Sequence, residues 1–191
     1  MAMWMFDLKS LLIKDVTSSG KGSKGADITL LDGLPAYVTL EGLQVAFEPS
    51  MFNDPQATRV NIVWRPNERV EAMLTELDEW IVSAVAANPL KYFGKARSED
   101  SIREAYTPIL KLSDKYAPQF KAKLNLTEPC KVRVWDEDKN PRDAPESWID
   151  CMTAPRLKLR SLWFGAAQWG AVLECTDIQV LSEEAAPACP F

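Results

Sequence analysis

Tyr37-Val-Thr-Leu-Glu-Gly-Leu-Gln-Val-Ala-Phe47 alternates apolar and polar side chains on both sides of a central glycine. A period of two sends alternate side chains to opposite faces, the pattern of a half-buried strand. Gly42 falls where a bulge or bend suits the chain, and barrels curl their strands with such interruptions.

Downstream, residues 49–55 read as a loop and Thr58-Arg-Val-Asn-Ile-Val-Trp64 as a further strand. A helix follows. Asn67 is an N-cap after Pro66, and Glu68 and Glu71 lie in the favourable first turn. Val70, Met73, Leu74, Leu77, Trp80, Ile81 and Val85 recur at helical spacing, a stripe that packs on a sheet. Asn88-Pro89 stops it. Leu90 to Arg97 is a basic, aromatic connector, and Ser98 caps a short helix that ends near Pro108. Gln119 to Leu126, Lys131 to Asp136, Arg156 to Phe164 and Leu173 to Leu181 read as strands. This order predicts a mainly β chain with α: an OB-type Greek-key β-barrel with one long helix in a connection. A different α+β sheet is the structural rival. Residues 1–25 are expected to form an N-terminal segment ending in a flexible Gly/Ser/Lys linker, residues 26–181 the OB-type barrel domain, and residues 182–191 an acidic disordered tail ending in Phe191.

Composition narrows the chemistry. The chain has 191 residues, enough for one domain with elaborations, and 47% hydrophobic residues, enough for a core. It holds no apolar run near the ~20 residues of a membrane span, and its N-terminus lacks the marks of a signal peptide. A cytoplasmic protein is expected, in the host cell cytoplasm if viral. Cys130, Cys151, Cys175 and Cys189 form no C-x-x-C pair, and histidine is absent. No metal or cofactor is therefore expected. The lack of histidine also removes Ser-His-Asp and Cys-His mechanisms, and there is no phosphate-cradling G-x-x-x-x-G-K-[ST] loop. Carboxylate chemistry with Mg²⁺ survives this filter, so a nuclease built on Asp136-Glu-Asp138 stays as a lesser alternative.

Charge is unevenly spread. The net charge is −5, yet residues 91–123 carry eight Lys and Arg against four Asp and Glu. Three later strands, split by face, each present an outward basic row: Lys121 and Lys123 with Asn125; Lys131 and Arg133 with Trp135; Arg156, Lys158 and Arg160. Single-strand binders pair such basic rows with aromatic platforms on which bases stack. A second cluster interleaves bases and aromatics: Lys91, Tyr92, Phe93, Lys95, Tyr106, Lys111 and Tyr116. There the aromatics can equally pack the helix onto the barrel. Trp163, Phe164 and Trp169 flank Gly165 and Gly170 and read mostly as core or turn packing.

Tyr92-Phe-Gly-Lys95, Tyr106-Thr-Pro108, Tyr116-Ala-Pro-Gln-Phe-Lys-Ala-Lys123 and Ser161-Leu-Trp-Phe-Gly-Ala-Ala-Gln-Trp-Gly170 resemble the single-stranded DNA-binding proteins of bacteriophages and large DNA viruses. The resemblance runs from about Tyr37 onward. It implies sequence-independent single-stranded DNA binding in replication or recombination, with no catalytic residues and no membrane. The tail resembles the acidic, Phe-terminated tips that contact replication and repair proteins, which would make Glu183, Glu184 and Phe191 a partner-binding group. It departs from that pattern in having only two acidic residues, some distance before Phe191. RNA binding, a homo-oligomer, and an interaction protein that binds no nucleic acid all remain open on these grounds.

Overall fold

The structure, a computed structural model, describes residues 6–18, 23–50 and 56–182, with the backbone alone at Ser50. Among these residues the chain runs β1 (Leu11–Ile13), β2 (Thr17–Ser18), β3 (Lys24–Leu30), β4 (Ala36–Thr39), β5 (Leu43–Ser50), β6 (Arg59–Arg65), α1 (Glu68–Ala86), α2 (Pro89–Phe93) and α3 (Glu99–Glu104). It continues through β7 (Tyr106–Thr107), β8 (Leu110–Lys111), β9 (Gln119–Asn125), β10 (Arg133–Trp135), β11 (Met152–Phe164) and β12 (Trp169–Ser182).

Hydrogen bonding closes a ring. β5 pairs antiparallel with β6, β6 with β9, β9 parallel with β12, β12 antiparallel with β11, and β11 back to β5. That is a five-stranded Greek-key barrel of the OB type. β4 continues β5 along β11, and the two are separated by the bend at Gly42. Gly42 has φ +67°, a left-handed conformation that costs a residue with a Cβ about 1–2 kcal/mol. The alternation on either side of it therefore belongs to one strand folded over the barrel's corner.

The expected helix is present as α1, in the connection between the second and third barrel strands. Asn67 caps it by accepting from the Val70 N–H. Its apolar stripe joins the core that Trp64, Phe120, Leu43, Ile62, Leu157 and Trp169 fill inside the barrel. Polar groups inside the barrel form a relay: the Trp64 indole N–H donates to Thr153 Oγ1 at 3.0 Å, and that hydroxyl donates to the Leu43 carbonyl. No helix among the described residues is long and apolar enough to cross a membrane.

Two local readings are corrected. The stretch after α1 is not simply a connector. Pro89 stops α1 and also starts α2, with Asn88 as its cap, because proline at the first helical position gives up an N–H that has no intrahelical partner. Within the region expected to be an N-terminal segment and flexible linker, Leu11–Ile13 and Thr17–Ser18 are strands paired to β3, which itself pairs with β11. Strands of two or three residues leave too short an alternation to be read. Residues 183–191 lie outside the described residues.

Asp78, buried on α1, staples the helix to the segment between α3 and β9. It accepts from Tyr106 Oη at 2.5 Å, from the Ile109 N–H at 3.1 Å and from the Leu110 N–H at 3.3 Å. Burial lifts its carboxyl above the usual carboxylate range, against the pull of those hydrogen bonds. Asp78→Ala would orphan three buried donors, each worth roughly 1–3 kcal/mol. It should destabilise the protein by about 3 kcal/mol or more in urea unfolding. An unchanged midpoint would show that the staple contributes nothing.

Candidate nucleic-acid interface

Cross-strand register builds the outer face. Asn61 on β6 stands opposite Lys123 on β9, Lys123 opposite Glu174 on β12, Glu174 opposite Lys158 on β11, and Lys158 opposite Tyr37 on β4. With strands about 4.8 Å apart, this is one continuous row across the barrel. A second row follows the same face, with Arg133 on β10 and Arg156 on β11 both opposite Asp177 on β12. The three basic rows expected from alternation thus become neighbours, because β9, β10 and β11 all pair with β12.

The two carboxylates tether arginines. Glu174 takes ion pairs from Arg59, at 3.4 Å, and from Arg160. Asp177 holds Arg133 at 2.8 Å and also accepts from the Trp135 indole N–H at 3.1 Å. Burial pushes the Asp177 carboxyl up, but the bonds from Arg133, Thr176 and Trp135 outweigh it and hold it below the usual range. The Arg156 guanidinium lies 4.3 Å from the Tyr37 ring centre, a cation–π contact on the same face. Lys121, Lys123 and Lys158 have no carboxylate within ion-pair distance among the described residues. Lys123 is held below the usual lysine range by burial, then by the positive charges of Lys121 and Arg59.

Beside Lys121 and Lys123 the barrel wall opens into a groove of about 380 Å³, lined among others by Asn61, Thr107, Pro108, Lys121, Lys123 and Trp163. It exists because β9 and β12 pair only at Lys123–Leu124 and Glu174–Cys175 and then part. β7 fills the gap on the β12 side and β8 on the β9 side. Trp163 forms an aromatic wall. Its indole lies against Gly170, where an added Cβ would stand 3.0 Å from Nε1 and 3.0 Å from the Thr107 carbonyl. Lys111, opposite Gln119, continues the outward side of Lys121, and Lys111, Leu112 and Tyr116 are exposed in the loop that leads into β9.

Several residues expected at the interface serve the fold instead. Tyr92 is buried and stacks on Phe164. Phe93 packs edge-on against Phe164 and Trp169, with Arg97 over its ring. Tyr106 is tied to Asp78 and lies against Trp169. Burial and the adjacent carboxylate push its phenol far above the usual range. Lys91 donates to the Ile13 carbonyl at 3.1 Å and pairs with Asp15, anchoring the N-terminal strands. Lys95 is exposed in the turn after α2. These aromatics close the barrel's end under the helices, so none of the three offers a free ring face.

Trp135 lies on the outer side of β10 but not beside the groove. It is half-buried and lines a second depression of about 430 Å³ with Lys131, Pro141 and Trp148. Its β12 neighbour is Gln179, whereas Trp163 stands opposite Gly170, nine residues away along β12. Two further aromatics face outward here: Tyr37, expected only as part of a strand, and Trp163, expected with Phe164 and Trp169 mostly as core or turn packing. The alternation that sends Val38 and Phe164 inward sends both of these outward. Asp136 accepts from the backbone and side chain of Asn140 and so caps a turn. Among the described residues no three His, Cys, Asp or Glu side chains cluster closely enough to hold a metal ion.

The architecture matches that of a known DNA-binding protein. The single-stranded DNA-binding protein from bacteriophage Enc34, solved in complex with single-stranded DNA, superimposes with a TM-score of 0.53 at 9% identity, over 92% of this chain and 98% of that one. A second structure of the same phage protein gives 0.53 and 9%, over 94% of each chain. At that identity the likeness is one of fold. No protein-family model and no curated protein sequence matches the chain.

A polyanion bound beside Lys123 would favour its ammonium form and raise its depressed pKa. As pH rises toward the depressed Lys123 titration, binding should take up protons, and affinity should fall as pH rises through it. Titration calorimetry in two buffers of different ionisation enthalpy reads this directly. Unequal apparent heats that become equal in Lys123→Met are expected; equal heats in the wild type would contradict the assignment.

Proposed function

We propose that the protein coats single-stranded DNA without sequence preference and without catalysis, using the outer face of β4, β6, β9, β11 and β12. The observation that carries this reading is the cross-strand row from Asn61 to Tyr37, set beside a groove that holds Trp163 and two lysines without an ion-pair partner among the described residues. Lys121, Lys123, Lys158 and Arg156 neutralise phosphates. Trp163 and Tyr37 offer ring faces to bases, a sequence-tolerant contact because every base has a π-face. Arg59, Arg160 and Arg133, fixed by Glu174 and Asp177, line the backbone path, and Lys111, Tyr116 and Lys131 extend it at its ends. The shared fold with a phage protein solved on single-stranded DNA supports the same reading. The proposal includes a role in replication or recombination, with Glu183, Glu184 and Phe191 recruiting proteins of that process.

Oligo-dT should bind well above duplex of equal length, with affinity falling steeply as salt rises, because counterion release drives phosphate binding. Trp163→Ala should cost roughly 1–3 kcal/mol of binding, the scale of one stacked base, with cooperative unfolding retained. Phe191→Ala should leave oligonucleotide affinity unchanged and abolish co-purification of replication proteins. Equal binding to duplex, or binding indifferent to salt, would overturn the DNA reading.

A further inference from the structure

Asn61 Oδ1 is buried and has no hydrogen-bond partner; Thr29 Oγ1 is the other such side-chain atom among the described residues. Asn61 lines the groove with Trp163, Lys121 and Lys123, whereas Thr29 lies in β3, away from it. A buried acceptor without a donor is costly, and native proteins satisfy nearly all such groups, so one on a residue that lines a groove calls for an explanation. The groove supplies part of one. Its lysines suit phosphate oxygens, and its indole suits the face of a base. The remaining chemistry of a nucleotide is the donor-bearing edge of the base, and an amide oxygen is the matching acceptor.

We infer that the Asn61 amide turns toward the groove when the ligand enters, and that its Oδ1 then accepts a hydrogen bond from the Watson–Crick edge of an unpaired base held against Trp163. Every base carries an N–H donor on that edge, so the contact is tolerant of sequence. In a duplex the same donors face the partner strand, so the contact is denied to paired bases. Asn61 thereby becomes a specificity-determining residue for single strands, acting alongside backbone charge. The inference rests on the single-stranded DNA reading of the same face and deepens it.

The test pairs a protein variant with a base analogue. Oligo-dC is compared with an oligonucleotide of the pyrimidin-2-one deoxynucleoside, which lacks cytosine's 4-amino donor and adds no bulk. Wild-type protein should bind oligo-dC about three- to tenfold tighter than the analogue, the scale of one neutral hydrogen bond. Asn61→Ala should bind both alike. Thermal unfolding should show Asn61→Ala as stable as the wild type or more so, since the change removes an unpaired acceptor. Asn61→Val, a better strand former, should give the same binding result and guards against a loosened β6. Equal wild-type affinity for the two oligonucleotides, or a preference that persists in both variants, would overturn the inference while leaving DNA binding intact. Failure of the wild type to bind either oligonucleotide would instead overturn the single-stranded DNA reading.

Discussion

The hydrogen bonding of β12 is the constraint on which the rest depends. This strand of 14 residues pairs with β11 along one edge and with β7, β9 and β10 in succession along the other. It thereby closes the barrel, and it also sets which outward side chains become neighbours. Lys123 is more than 30 residues from Arg156 and Lys158 in the sequence, and it shares their face only because β9 and β11 both pair with β12. The parting of β9 from β12 leaves the gap that becomes the groove. The Asp78 staple, which fixes the segment running from β7 to β8, gives the groove its far wall. Stability and site therefore share the same parts.

Charge on this face is arranged in two ways. Arginines are held by carboxylates: Arg59 and Arg160 by the buried Glu174, Arg133 by the mostly buried Asp177. A guanidinium keeps donors to spare when one edge is paired, so a tethered arginine can still meet a phosphate. Among the described residues the lysines have no such tether, and Lys123 is depressed first by burial and then by the positive charges of Lys121 and Arg59. The fold tolerates this repulsion, which a bound polyanion would relieve. An overall charge of −5 is compatible with such a face because the acids there sit beneath arginines or lie elsewhere on the molecule.

Much of this was legible in the sequence, for physical reasons that also mark the limits. Strict alternation in residues 119–124 and 156–160 identified the inward and outward sets correctly, since side-chain period is a local property of a strand. The α1 stripe and the Asn67 cap were equally local. Adjacency was not legible: the parallel pairing of β9 with β12 joins segments some 50 residues apart, and no local pattern encodes it. The aromatics misled in both directions. Tyr92, Phe93 and Tyr106 alternate with lysines as a binding loop would, but lysine beside aromatic is also how a core edge meets solvent. Trp163 was passed over because Phe164 and Trp169 are core residues, although alternation from Phe164 puts it outside.

The central claim is that the ligand follows the β12-centred face from the Trp163 groove across Lys123 and Lys158 to Tyr37 and Arg156. Backbone amide shifts followed by NMR during titration with oligo-dT test it most directly. The account predicts that the large perturbations fall on β6, β9, β11, β12, β4 and the 107–109 segment, with the Trp163 indole N–H among the most affected. Perturbations confined to the Trp135 depression or to α1 and α2, with the Lys123 and Trp163 signals unmoved, would contradict it.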